Sequence, residues 1–353
     1  MTQSYHALAL YSGGLDSILA MKTVLDQGLR VLGLHFCSPF FGHPDKIEHW
    51  QRIYGLEIQP VNVHQEFINI LRQGPRFGYG KILNPCVDCK ITMLSHAKSL
   101  LDQYGARFLI SGEVLGQRPM SQRRDTLNLI SKQAEVRDLL LRPLCAGHMP
   151  STPMEEEGLV DRTRLHSISG RGRKDQLRLA ESYGLAEIPT PAGGCLLAEQ
   201  ESAKRFWPVL TRIPEPSPHD FALANMSRQY WNDGLWMMVG RNKTDNDALA
   251  RMAQADDLLF KAVDVQGPLA LGRRKPGIIW TEEDIRRAAT FVAGFTAKKR
   301  PPGQTPLIRV TSSGQSSTLE CPAESPSETG WTEFTWDRTK REKQDWIDAN
   351  SPS

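Results

Sequence analysis

Over the first two hundred residues, short apolar runs alternate with amphipathic stretches: residues 6–11, 18–25 and 30–36, then a polar segment, then 56–63. This rhythm predicts βαβ units. Two further runs, 108–110 and 139–141, are short, apolar and bounded by turn residues, as strands buried on both faces of a parallel sheet are. The expected fold is α/β, a doubly wound parallel sheet with helices on both faces.

The pattern changes after Leu196. Pro208, Pro214, Pro216 and Pro218 mark a linker, and a mixed segment follows over about 221–297. It reads as a smaller α+β domain. From Lys298 onward Pro, Ser, Thr, Gly and charge dominate, with too few regularly spaced apolar residues for a core. That stretch is expected to be a disordered tail whose Trp331, Phe334, Trp336 and Trp346 dock on a partner. The expected boundaries are 1–204, 205–297 and 298–353, with no internal repeat.

Length and composition fit this plan, since 353 residues at 40 % hydrophobic content suffice for two cores. The formal charge of +3 arises from 43 basic and 40 acidic residues. Bulk charge therefore does not mark a nucleic-acid binder, and any RNA contact must come from local basic patches. No apolar run approaches the roughly 20 residues needed to span a bilayer, and the first six residues are too polar for a signal peptide. The expected location is cytoplasmic, with no membrane partner. Six cysteines are too sparse for a secreted disulfide scaffold, so the Cys86-x-x-Cys89 spacing points to metal or redox chemistry.

The most informative segment is Ser12-Gly13-Gly14-Leu15-Asp16-Ser17, placed where the first strand turns into the first helix. Paired glycines let successive N–H groups face an anion without obstruction, and the helix N-terminus adds partial positive charge. Ser12 and Ser17 offer hydroxyl donors to the same oxygens. A tight turn with a serine cap would use similar residues for no chemical purpose. The complete hexamer, however, is the PP-loop signature of ATP pyrophosphatases; it lacks the Gly-Lys-Ser/Thr ending of a Walker A loop and is not a GxGxxG fingerprint.

A second segment, Leu109-Ile110-Ser111-Gly112-Glu113-Val114-Leu115-Gly116-Gln117, is followed by Ser121-Gln122 and later by Leu141-Arg142-Pro143-Leu144. With the PP-loop, these motifs resemble the catalytic domain of the 4-thiouridine synthetase (ThiI-type) tRNA sulfurtransferases over residues 1 to about 200. The resemblance implies an adenine nucleotide alpha hydrolase-like domain and ATP-dependent thiolation of tRNA. It implies that Ser12, Gly13, Gly14, Asp16 and Ser17 hold pyrophosphate, with Mg2+ near Asp16. Gly112, Glu113, Gly116, Gln117 and Gln122 would line the nucleotide and substrate side. Neither the RNA-binding module that precedes the ATP domain in those enzymes nor the rhodanese domain that follows it in some is visible here, so the modified tRNA position stays open. The expected partners are tRNA and a sulfur donor, either sulfide or a cysteine desulfurase, and a homodimer is compatible with this class.

The segment 234–242, followed by Asn246-Asp247 and by residues 256–262, is similar to the NFACT RNA-binding domain over about 234–272. Arg241, Lys243, Arg251, Arg273, Arg274 and Lys275 would supply phosphate contacts beside Trp236, although a plain α/β domain with solvated charges would show the same residues.

Cys86 and Cys89 are joined by Cys195, which follows a Pro191-Ala192-Gly193-Gly194 turn. In one scheme all three ligate a 4Fe-4S cluster with one iron open to sulfide, similar to iron-sulfur tRNA thiolases. In another, Cys195 carries a persulfide and a resolving thiol closes a disulfide on it. A structural zinc completed by His96 or His166, or plain buried thiols, are the alternatives. Cys37 and Cys145 read as core residues and Cys321 as a tail residue. Arg171, Arg173 and Lys174 precede a helix running to Tyr183, a poor place for cations unless an anion is near, and are expected to meet the tRNA backbone or ATP. The rival functions are a PP-loop amide ligase, a cluster-dependent thiobase desulfidase and a non-catalytic RNA-binding protein.

Overall fold

The computed structural model describes residues 4–189, 194–301, 304–322 and 326–350. The chain divides into two compact units, Met1–Ala198 and Glu199–Ser353.

The first unit opens with β1 (Ala7–Leu10), α1 (Leu15–Leu25), β2 (Val31–Cys37), α2 (Ile47–Tyr54), β3 (Glu57–Asn62) and α3 (His64–Gln73). It continues with α4 (Cys86–Ser99), β4 (Phe108–Ser111), α5 (Arg124–Gln133), β5 (Leu140–Leu141), α6 (Pro153–Glu156) and α7 (Lys174–Ser182). The five strands form one sheet in the order β3-β2-β1-β4-β5, and every pairing is parallel. The apolar runs of the sequence are these strands. Every residue of β1, β2 and β4 is buried, as required where helices cover both faces. The core on one face gathers Ile18, Leu19, Met21 and Val24 of α1 with Trp50 and Tyr54 of α2.

The strand order reverses direction at β1, which has β2 on one side and β4 on the other. The connections leaving the carboxyl ends of β1 and β4 therefore diverge and open a crevice there, the place where doubly wound sheets bind ligands. The phosphate loop follows β1, and the Gly112–Gln117 turn follows β4.

The second unit contains α8 (Gln200–Arg212), α9 (Pro218–Met226), β6 (Arg228–Asn232), β7 (Leu235–Val239), α10 (Lys243–Met252), β8 (Leu258–Ala262) and β9 (Leu269–Gly272). It ends with α11 (Glu282–Gly294), β10 (Leu307–Ser312), β11 (Gln315–Glu320) and α12 (Trp336–Asn350). Its six strands run β11-β10-β8-β9-β7-β6, all antiparallel. The α+β expectation holds, but the disordered tail does not, because β10, β11 and α12 are ordered over the described residues. β10 sits between β8 and β11, so the sheet includes the segment read as a tail.

The sequence signal was weak for a physical reason. Only Ile308 and Val310 of β10 point into the core, and β11 is almost wholly exposed, so period-2 alternation is carried by two residues. Three of the four aromatic residues expected to dock on a partner, Trp331, Phe334 and Trp346, pack within the unit instead. Trp331 and Phe334 are buried, Trp331 stacks near Trp280, and Trp346 meets the edge of Trp207 on α8. Cys321 likewise belongs to this core. The first unit ends at Ala198 rather than at residue 204, since Gln200 already begins α8.

Candidate active site

The phosphate loop is shaped by two glycines with different tasks. Gly13 takes φ +78°, which L side chains rarely adopt, and a Cβ there would lie 2.6 Å from the Trp50 ring. Gly14 is the N-cap of α1, and its carbonyl accepts from the Ser17 hydroxyl at 2.7 Å and the Ser17 amide at 3.1 Å. The Ser12 amide and hydroxyl both donate to Ser17 Oγ at 3.3 Å. The loop is thus held by its own serines, and it leads directly into the N-terminal turn of α1, the end of a helix that favours an anion.

The second turn is fitted against the first. A Cβ on Gly112 would sit 2.6 Å from the Asp16 carbonyl oxygen and 2.7 Å from the Ser17 amide nitrogen, so only glycine lets β4 approach the start of α1 this closely. Gln117 Nε2 donates to Asp16 Oδ2 at 3.0 Å, while Asp16 Oδ1 is buried without a hydrogen-bond partner. Gly116, at φ +77°, donates its amide to the Gln122 carbonyl at 2.7 Å, and the Gln122 side-chain oxygen is also buried and unpartnered. The two motifs far apart in sequence therefore meet, and they leave unmet acceptors at the switch point.

Glu113 is held by neighbours through one of its carboxylate oxygens. It is 2 % exposed, accepts from Ser111 Oγ at 2.9 Å and Arg142 Nε at 3.0 Å, and has Lys90 Nζ at 3.9 Å. Burial alone would raise its carboxyl, but Lys90 and Arg142 outweigh burial and hold it below the ordinary glutamate value. Arg142 also donates to Ser131 Oγ at 2.9 Å, tying β5 to α5. Lys90 and Arg142 had no assigned role in the sequence reading; the sequence signal was Arg142 itself, a charged residue ending a buried apolar strand.

The cysteine set is built by α4 and by backbone bonds far away in sequence. Cys86 is the first residue of α4, and Asn84 Nδ2 donates to its sulfur at 3.1 Å. Asp88, inside the Cys-x-x-Cys span, accepts the amides of Arg76 and Phe77 at 3.0 and 3.1 Å, so its role is to hold the preceding loop. The Leu196 amide donates to the Phe40 carbonyl at 2.9 Å, and the Leu83 amide to the Leu197 carbonyl at 3.0 Å. These bonds return Cys195 to the start of α4. Cys89 feels both Cys195 and Cys86: burial pushes its thiol up first, the two neighbouring sulfurs push it further, and Lys90 opposes them. The three cysteines match a three-thiolate donor set in number and softness. Among the described residues, no group of three or more metal-ligating side chains is already gathered to hold an ion, so that match is one of residue type. His96 packs edge-on to Phe36, and His166 Nε2 lies 3.1 Å from the Thr23 hydroxyl. Residues 191–193 of the expected flexible turn lie outside the described residues. Cys37 and Cys145 are buried, as expected of core thiols.

Arg171, Arg173 and Lys174 follow Ser169, which bridges Leu115 of the second turn in parallel. Arg171 and Lys174 are exposed, and Arg173 donates to the Pro189 carbonyl at 3.5 Å. In the second unit Arg241, Lys243 and Arg251 are exposed, with Arg241 paired to Asp245 at 2.7 Å. Two residues named there as RNA contacts are core residues. Trp236 is fully buried and stacked on Trp231, and Arg273 is fully buried between Asp220 and Asp257. Lys275 is drawn to Asp220 at 2.6 Å. A fully buried arginine is paired by necessity, and its sequence neighbours gave no sign of the two acids that pair it.

Comparison with known proteins matches residues 2–148 to the model of the ThiI family, described as thiamine biosynthesis protein ThiI. A probable tRNA sulfurtransferase of Thermococcus kodakarensis is 26 % identical over 166 residues, 44 % of this chain and 39 % of that protein. A probable tRNA sulfurtransferase of Staphylococcus aureus is 30 % identical over 117 residues, 31 % of this chain and 28 % of that protein. The chain thus spans well under half the length of either relative. A solved structure of a tRNA methyltransferase subunit from Methanocaldococcus jannaschii covers 39 % of this chain and 68 % of its own, with 15 % identity and a TM-score of 0.29. The family match covers residues 2–148, which include the phosphate loop and the Gly112–Gln117 turn, so this part of the chain is similar to the ThiI family.

Proposed function

We propose that the chain is an ATP-consuming tRNA sulfurtransferase that forms AMP and pyrophosphate. The observation that carries this reading is the junction of a phosphate loop with a second turn through the Asp16–Gln117 hydrogen bond, on the unit that also contains Cys86, Cys89 and Cys195. A uridine carbonyl oxygen, at C4 or C2, attacks the α-phosphorus of ATP, and pyrophosphate leaves with the electrons of the broken P–O bond. Sulfur then adds to the activated carbon, and AMP departs with the original oxygen.

Ser12, Gly13, Gly14 and Ser17 hold the pyrophosphate in this reading, with the positive end of α1 favouring its departure. Asp16 holds Mg2+ through the oxygen that lacks an intramolecular partner. Gly112, Gly116 and Gln117 shape the nucleotide side, Glu113 positions Arg142 and Lys90 from behind it, and Gln122 faces the substrate. Arg241 and Lys243 are the RNA contacts of the NFACT-like second unit. The sulfur donor is sulfide or a cysteine desulfurase.

Cys86, Cys89 and Cys195 serve the sulfur step as ligands of a 4Fe-4S cluster, which when bound supplies an open iron for sulfide. A second route runs through a persulfide on Cys195 whose outer sulfur comes from a cysteine desulfurase. There a neighbouring thiol attacks Cys195 Sγ, the terminal sulfur leaves as a sulfide equivalent, and an external dithiol reduces the resulting disulfide.

The test is pyrophosphate release by purified protein with ATP, with and without tRNA. Release that requires tRNA and is lost in Asp16→Ala is the expected result. Release that ignores tRNA and requires ammonia and a carboxylate would instead make the protein an amide ligase.

A further inference from the structure

The turn after β4 and the turn before α7 form one edge. Leu115 and Ser169 make a parallel bridge, and the Gly170 amide donates to the Leu115 carbonyl at 2.8 Å. A Cβ on Gly116 would be in ordinary contact with Gly170, 3.6 Å from its nitrogen. The start of the 116–124 stretch is thereby held against Ser169 and Gly170 of the 168–174 stretch.

Together these two stretches contain six arginines and lysines and no aspartate or glutamate, in a chain whose whole net charge is only +3. Arg118, Arg123, Arg171 and Lys174 are exposed. Among the described residues no acidic side chain pairs with Arg118, Arg171 or Lys174, and Arg123 has only the exposed Asp125 at 3.6 Å. Arg124 and Arg173 each donate to a carbonyl, of His148 and Pro189. Lys174 begins α7, where the helix end is already positive, so the cations gather where an unliganded protein disfavours them. Met120, 67 % exposed, stands in the same turn, and Gln117 in that turn reaches Asp16 of the phosphate loop.

We propose that residues 116–124 and 168–174 form a single surface that grips the phosphate backbone of tRNA at the mouth of the nucleotide site. Arg118, Arg171 and Lys174 are its phosphate contacts, and Met120 gives an apolar, polarizable contact to an unstacked base. The proposal rests on the thiolation reading, and it explains how the target carbonyl arrives beside ATP: the backbone is held by the turn that also contacts the phosphate loop.

The test is tRNA binding by fluorescence anisotropy across a salt series, comparing wild type with the Arg118→Gln/Arg171→Gln/Lys174→Gln variant and with the corresponding Arg118→Lys/Arg171→Lys protein. Each phosphate contact contributes about 0.7–0.9 to the slope of log affinity against log salt. The neutral variant is expected to lose at least about tenfold in affinity and roughly two in slope, while the lysine variant keeps the slope. ATP affinity by calorimetry is expected to match wild type. An unchanged slope overturns the proposal, as does a loss of ATP affinity with tRNA binding intact, which would assign these cations to the nucleotide. A wild-type protein that binds no tRNA removes the thiolation reading and this surface with it.

Discussion

Replacing Gly112 by alanine asks whether the two turns at the switch point must touch. The added Cβ would lie 2.6 Å from the Asp16 carbonyl oxygen and 2.7 Å from both the Asp16 carbonyl carbon and the Ser17 nitrogen. All three are backbone atoms of the first turn of α1, so no change of rotamer relieves the overlap. Reaching an ordinary contact of about 3.4 Å requires β4 and α1 to part by roughly 0.8 Å. Overpacking of this kind costs about 1–3 kcal/mol. In a unit of this size each kcal/mol lowers Tm by about 2–4 °C, so the variant should melt roughly 2–12 °C below wild type. The larger effect is expected on activity, since misplacing a reacting group by about 1 Å costs on the order of 100-fold. The Asp16–Gln117 hydrogen bond and the loop amides move with α1, so tRNA-dependent pyrophosphate release should fall tenfold to 100-fold, on the order given by that displacement, with a raised KM for ATP. Gly172→Ala is the control: nothing lies within 4 Å of its Cβ and its φ is not positive, so its stability should stay within about 0.5 kcal/mol. A Gly112→Ala protein with wild-type Tm and wild-type KM would refute the argument that close approach of these backbones builds the site.

Arg142→Met leaves the buried Glu113 carboxylate with Lys90 as its remaining cation and Ser111 as its remaining hydrogen-bond donor, and should cost about 3–5 kcal/mol by denaturant unfolding, more than Glu113→Gln. The folded value of Glu113 lies below its unfolded value of about 4.3. Its contribution is therefore complete above that pH and is lost as pH falls through the folded value. The Tm gap between wild type and Glu113→Gln should shrink on acidification below about pH 4.3, and a gap that stays constant would contradict the ion-pair assignment. A chain ended at residue 297 loses β10 and β11, strips the partner of β8, and exposes the core that Ile308, Val310 and Trp331 cover. Rapid proteolysis of the second unit is expected in that chain, and a protease-resistant second unit would show that the segment is dispensable.

The first unit was legible because its signals are local. Strands buried on both faces are unbroken apolar runs, and the phosphate loop is a contiguous hexamer at a strand-to-helix turn. The pairing of that loop with the Ser111–Gln117 segment was legible only through family likeness, since no periodicity states that Gly112 abuts Asp16. The grouping of Cys195 with Cys86 and Cys89 had a similar status, and its physical cause is two backbone hydrogen bonds made by Leu196 and Leu197. Glu113 shows the converse. An acid in a ligand-side motif reads as a ligand contact, and nothing in the sequence said that Arg142 and Ser111 would bind one of its oxygens while the other stays without a hydrogen bond. In the second unit, composition misled: a Ser- and Thr-rich strand with two inward apolar residues resembles a tail until its partner strand is known. Trp236 and Arg273 look like an RNA-binding pair in sequence, but they belong to a buried stack and a buried ion-pair network.

The most direct measurement is mass spectrometry of nucleosides from total tRNA in a strain lacking this protein, with complementation by wild type, Asp16→Ala and Cys195→Ala. The account predicts that one thionucleoside disappears in the deletion, returns with wild type, and returns with neither variant. Full retention of every thionucleoside in the deletion, or restoration by Asp16→Ala, would contradict it.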